Sequence, residues 1–168
     1  DAIIAQGLEA GGHRGHFLSD DLDAQTGTCA LVPQIVRAGR VPASRLVTQM
    51  VDRFLDVYSA DLRQRAEAQG LTTRQVVTLA ALVEKETASP DEHPLVAAVY
   101  RNRMRLDMPM QADPAVIYAL QKAGRYDGNI RRDDLQFDSP YNTYRYPGLP
   151  PGPIASPGRA SLQAALAP

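Results

Sequence analysis

The stretch Leu82-Val83-Glu84-Lys85-Glu86-Thr87-Ala88 closes an apolar helical run with two carboxylates two positions apart. At about 100° per residue, Glu86 falls between Leu79 and Leu82, inside the apolar arc that Val76, Leu79, Ala80 and Val83 define. Glu84 falls on the shoulder of that arc, and Lys85 faces solvent. The two glutamates diverge by about 160° on this wheel, too far to face each other as an acid/base dyad. A carboxyl set among Leu and Val side chains resists ionisation. That is the condition for a general acid that protonates a leaving oxygen near neutral pH. The plainer reading is that Glu86 reaches past the core to an Arg or to water. A carboxylate in the last turn opposes the helix dipole, which favours a reason other than stability. Glu84 reads as a structural or supporting group.

Two other segments could complete a site. In "MPMQADPAVIYAL" (108–120), Gln111 and Asp113 stand directly before a Pro-started helix, where Asp113 could also simply be the N-cap. In "PYNTYRYPGLPPGP", Tyr141, Asn142, Tyr144 and Tyr146 are mixed with rigid Pro and Gly. Tyrosine faces and amide groups suit sugar rings. The alternative is a polyproline linker or ligand, since "PGLP" and "PPGP" both fit P-x-x-P. Asn102 lies on an otherwise apolar stripe with Val99 and Leu106, where it could brace a neighbouring loop or bond a carbonyl.

Helices must carry these groups. Apolar residues from Leu46 to Leu62 recur at helical spacing, predicting one helix from Ser44 to about Gln69, stopped by Gly70. Thr72 and Gln75 form a capping box for a helix over 73–87, with Leu71 and Val76 as a staple. A third helix starts near Asp91 as N-cap, with Pro94 in its first turn, and runs to about residue 106. Shorter helices are expected over Pro114–Gln121 and Pro157–Leu166. Between them residues 139–158 hold six prolines, three glycines and three tyrosines. Residues 9–43 show no lasting pattern and read as loop with one short element near 29–37.

The 168 residues suffice for one domain with a real core. The net charge of −1 gives no ground for a nucleic-acid surface. With no Trp and three Phe, the core must be built from small aliphatic groups. A lone Cys29 forms no disulfide framework. His13 and His16 with Cys29 could be drawn as a zinc site, but no fourth ligand is placed. No metal and no cofactor are therefore expected. No run approaches the roughly 18 apolar residues that span a bilayer, and both ends read as cuts through a longer protein.

Taken together, "TLAALVEKETASPDEHPLVAAVYRNRMRLDMPMQADPAVIYAL" and "SPYNTYRYPGLPPGPIASPGRASLQAAL" resemble the endolytic murein transglycosylases of the YceG-like family. The resemblance covers about residues 71–167 and rests on ordered motifs: E-K-E-T, N-R-M with M-Q-A-D-P, and Y-N-T-Y followed by G-L-P-P-G-P-I. It implies an α+β domain, predominantly helical and lysozyme-like, with a few short strands and a long Pro/Tyr-rich loop. That catalytic domain would occupy 44–168, after a divergent segment 1–43. The resemblance makes Glu86 the single general acid/base for cutting the MurNAc–GlcNAc bond inside peptidoglycan strands, leaving 1,6-anhydro ends. It also puts Gln111, Asp113, Tyr141, Asn142 and Thr143 along the cleft, with Glu84 and Asn102 in support. Glycan strands are the implied partner, along with cell-wall synthases, at the extracytoplasmic face of an inner membrane where the parent is anchored. The family's aromatic-rich segment upstream of the catalytic helix is reduced here to Phe17, Leu18 and Asp20, and its C-terminal region is missing. Two competing readings are an inert peptidoglycan-binding module and a two-carboxylate muramidase using Glu86 with Asp113.

Overall fold

In this computed structural model the described residues are 42–167. Six α-helices follow in order: α1 Ala43–Val57, α2 Ala60–Ala68, α3 Thr73–Glu86, α4 His93–Arg105, α5 Asp113–Lys122 and α6 Arg159–Ala165. A 3₁₀ turn, Arg132–Gln136, stands between α5 and α6. Among the described residues there is no strand, which corrects the expectation of short strands: this part is helix and loop. The segment 1–43, with His13, His16 and Cys29, lies outside the described residues except for its last two positions.

α3 is the hub. Thr72 Oγ1 accepts from the Gln75 amide at 3.3 Å, and Gln75 Oε1 accepts from the Thr72 amide at 2.9 Å, completing the expected capping box. Behind that start, Leu79, Ala80, Ala81, Leu82 and Val83 are all 0% exposed. Five consecutive buried residues mean the helix is enclosed on every side rather than along one stripe. α6, α4, α5 and α2 supply the enclosure. Many contacting residues are alanines (Ala97, Ala115, Ala164, Ala165), which let helix backbones approach closely in a core without Trp.

The long first helix expected from the pattern is broken. Tyr58 (φ −83°, ψ 65°) and Ser59 (φ −61°, ψ 171°) leave helical geometry. Tyr58 is buried, stacked on Phe54 at 5.4 Å between ring centroids, and α2 restarts so that Leu62 and Ala66 meet the core. α2 then ends at Gly70 (φ +67°) in a Schellman arrangement. Its bonds run from the Leu71 amide to the Ala66 carbonyl and from the Gly70 amide to that of Glu67. α4 begins two residues after Asp91, with Glu92 as N-cap and Pro94 in the first turn.

α6 is pinned to the end of α3 by Glu84. Its Oε2 accepts from the Gly158 amide at 3.0 Å and from the Ser161 hydroxyl. Ser161 is fully buried, and its oxygen lies 3.2 Å from Nδ1 of buried His93 on α4. The hydroxyl proton goes to Glu84, so the imidazole Nδ1 is the donor in that contact. The supporting role expected for Glu84 is thus a three-helix tie. We expect Glu84→Ala to lower stability by about 1–3 kcal/mol in urea denaturation, because it takes the acceptor from the buried Ser161 hydroxyl. The exposed neighbour substitution Lys85→Ala should stay within about 0.5 kcal/mol.

Candidate active site

Glu86 is the last residue of α3 and is exposed. The wheel put it inside the apolar arc, but the core stops one turn earlier at Val83, so that angle leads to a rim rather than an interior. Enclosure by Leu and Val is therefore corrected to an anchored, solvent-facing carboxylate. The anchor is Tyr100 on α4, 4% exposed, whose hydroxyl donates to Glu86 Oε2 at 2.7 Å.

Asp113 opens α5, yet it does not cap it. The N-cap is Ala112, with no side-chain capping bond. Instead Asp113 Oδ1 accepts from the Tyr144 hydroxyl at 2.6 Å. The site therefore holds two phenol–carboxylate pairs. They share one electrostatic neighbourhood: Tyr100 feels the charge of Asp113 besides that of Glu86, and Tyr144 feels Glu86 besides Asp113. Burial first, then the bonded carboxylate, pushes Tyr144 up to about 12 and Tyr100 further. Arg103 is the cation that opposes both shifts.

Arg103 also shapes the backbone. It donates to the Met110 carbonyl and, at 3.4 Å, to that of Pro109. The next residue, Gln111, has φ +49°, left-handed although it is not glycine. Such backbone costs about 1–3 kcal/mol and persists only where its surroundings hold it. Here the hold comes from Thr143. Its carbonyl accepts from the Gln111 amide at 3.2 Å, and its hydroxyl accepts from the Ala112 amide at 2.9 Å. The strap 109–112 is thereby fixed between α4 and the Pro/Tyr loop, delivering Asp113 to Tyr144.

The expected cleft-lining set is only partly brought together. Gln111 and Asp113 are exposed at the strap, but Asn142 and Thr143 are buried at 0% and 1%. This corrects their placement along a cleft. Asn142 donates to the carbonyls of Leu135 (3.0 Å) and Phe137 (2.7 Å) and accepts from the Tyr144 amide at 3.0 Å. Both its donors and its carbonyl oxygen thus go into shaping the loop under Tyr144. The Tyr141 ring packs on Tyr118 at 4.8 Å, with the Lys122 ammonium 5.2 Å from its centroid, so it belongs to the α5 side of the loop. Asn102 supports nothing near Glu86. It is exposed, meets Arg105 at 3.4 Å, and shares a groove of about 570 Å³ with Gln69 and Arg101 on the other flank of α4.

Tyr100 and Arg103 are the residues that pattern reading passed over as site groups, whereas Tyr144, read as one of several sugar platforms, is instead bonded to Asp113. Tyr100 carried one available signal: a tyrosine on an apolar stripe must find a partner for its hydroxyl. Among the described residues no cluster of His, Cys, Asp and Glu could hold a metal.

A family model described as the YceG-like family matches residues 18–168. An endolytic murein transglycosylase of Bacillus subtilis (strain 168) is 34% identical over 124 residues, 74% of this chain and 32% of that protein. One from Streptococcus pneumoniae serotype 2 is 33% identical over 132 residues, 75% of this chain and 24% of its own. The chain thus spans about a third or less of these curated relatives. A crystal structure of a yceG-like protein from Listeria monocytogenes matches with a TM-score of 0.67 at 39% identity, over 77% of this chain and 41% of that one. A shorter likeness, 52% over 42 residues, is to a nitronate monooxygenase of Pseudomonas aeruginosa and covers 25% of this chain and 12% of that enzyme.

The paired phenols give a pH prediction. A tyrosine whose folded pKa is raised above its ordinary 10.0 adds stability that is complete below pH 10 and is lost as pH rises toward the folded value. Stability measured by urea denaturation should fall between pH 10 and about 12, with Tyr144 contributing in that window. Tyr144→Phe should make this alkaline fall shallower. A fall equally steep in the variant would contradict the raised phenol.

Proposed function

The chain belongs to the YceG-like family, and on that premise we propose that it is the catalytic part of a peptidoglycan lytic transglycosylase that cuts within glycan strands. The observation that carries the reading is Glu86: a carboxylate at the solvent end of an enclosed helix, one oxygen bonded to a buried phenol and the rest of the group open. The relatives named endolytic murein transglycosylases support it.

In this mechanism Glu86 starts protonated. It gives its proton to the oxygen linking MurNAc C1 to GlcNAc, the C1–O bond breaks, and the GlcNAc side leaves as an alcohol. The muramyl C6 oxygen bonds to C1, closing the 1,6-anhydro ring, and the C6 hydroxyl proton returns to Glu86. No water is consumed, and one acid/base group serves both halves. Asp113 holds the Tyr144 hydroxyl, and Gln111 offers its side-chain amide to the sugar from the strained strap. The helical domain is read as lysozyme-like in organisation, acting outside the inner membrane on strands that wall synthases produce.

One observation favours a second reading. Glu86 and Asp113 act on the same two phenols, so a two-carboxylate muramidase is the alternative. The variants separate them. Glu86→Gln should lower turnover of purified glycan strands by about 10²–10⁴-fold. It should change stability by no more than about 0.5 kcal/mol, since the site is exposed. Asp113→Asn should cost less than a tenth of that loss, whereas equal losses would support the muramidase. Undiminished cleavage by Glu86→Gln would remove Glu86 from the chemistry.

A further inference from the structure

We propose that Tyr100 is the positioning residue for Glu86: by holding Oε2, its hydroxyl makes Oε1 the oxygen that gives and takes back the proton. This rests on the reading of Glu86 as the acid/base group.

The need for such a post follows from where Glu86 stands. It is the last helical residue, and Thr87 beyond it turns to extended backbone (φ −141°, ψ 144°). Its side chain is exposed and long, so it loses considerable rotamer freedom when fixed. Among the described residues the Tyr100 hydroxyl is its one hydrogen-bond partner, and it joins no ion pair. A misplacement of about 1 Å can cost about 10²-fold in rate, so an unanchored carboxyl here would be a poor catalyst.

Tyr100 has the opposite character. It lies on the inward face of α4 with His93 and Ala97, all three buried, and α4 packs on both α3 and α6. Its hydroxyl therefore comes from a rigid place, 14 residues along the chain from the acid it holds. The contact also survives the whole proton cycle. Oε2 accepts from the phenol both as the carbonyl oxygen of the acid and as one oxygen of the carboxylate. Burial and the adjacent glutamate suppress ionisation of the phenol, so it remains a donor at any working pH. The proton must then reside on Oε1, the side left open. Tyr144 does not compete for this task, because its hydroxyl is given to Asp113.

A merely structural Tyr100, satisfied by whichever acceptor is nearest, makes different predictions. Tyr100→Phe keeps the ring in the core and removes only the donor. On glycan strands it should lower kcat by about 10–100-fold while KM changes by no more than about twofold. Glu86→Asp, which withdraws the carboxyl by one methylene, should lower kcat likewise and be insensitive to a further Tyr100→Phe. The inference is overturned if Glu86→Gln is inactive while Tyr100→Phe keeps the parent kcat; that outcome leaves the proposed function standing. Activity retained by Glu86→Gln would overturn both together.

Discussion

Everything in this domain depends on the enclosure of α3. A helix whose residues 79–83 are without exposure cannot present chemistry from its sides. It can do so only where it leaves the core, at its last turn. There the wheel sends Glu84 into the seam with α6 and Glu86 toward α4 and solvent. The same two carboxylates, two residues apart, thus take opposite jobs. One closes a buried network with Ser161 and His93, and the other stands free except for Tyr100. The small side chains of the enclosing helices make this possible, since alanine-rich seams bring α4 and α5 close enough to reach the end of α3.

Around that end, precision comes from neighbours that the reaction never touches. Thr143 and Arg103 spend their polar groups on the backbone of 109–112 and hold a left-handed Gln111 that would otherwise relax. Asn142 spends three bonds on the loop beneath Tyr144. The result is a site whose two acids each meet a phenol carried by a different element. Rigid support of this kind is what an exposed acid needs in order to act in one geometry.

Much of this was legible because it is local. The Thr72–Gln75 box, the Gly70 stop and the Pro94 first turn are written within four residues of where they act, and each was found where expected. The divergence of Glu84 and Glu86 follows from helix geometry alone. What could not be read is non-local. No Gly or Pro marks the break at Tyr58, which exists because α2 must turn Leu62 and Ala66 to the core. Helix periodicity also cannot say where a core ends, so Glu86 looked interior when it is a rim group. Asn142 and Thr143 have side-chain types that suit sugars, but their partners make them internal braces, and for Thr143 that partner lies 31 residues away.

The central claim is that a single acid, Glu86, cuts the strand with the substrate's own C6 hydroxyl as nucleophile. Mass spectrometry of glycan strands digested in heavy-oxygen water tests it most directly. The account predicts new muramyl ends lighter by one water than a reducing end and free of heavy oxygen. Reducing ends that carry the heavy isotope would show that water is the nucleophile and contradict it.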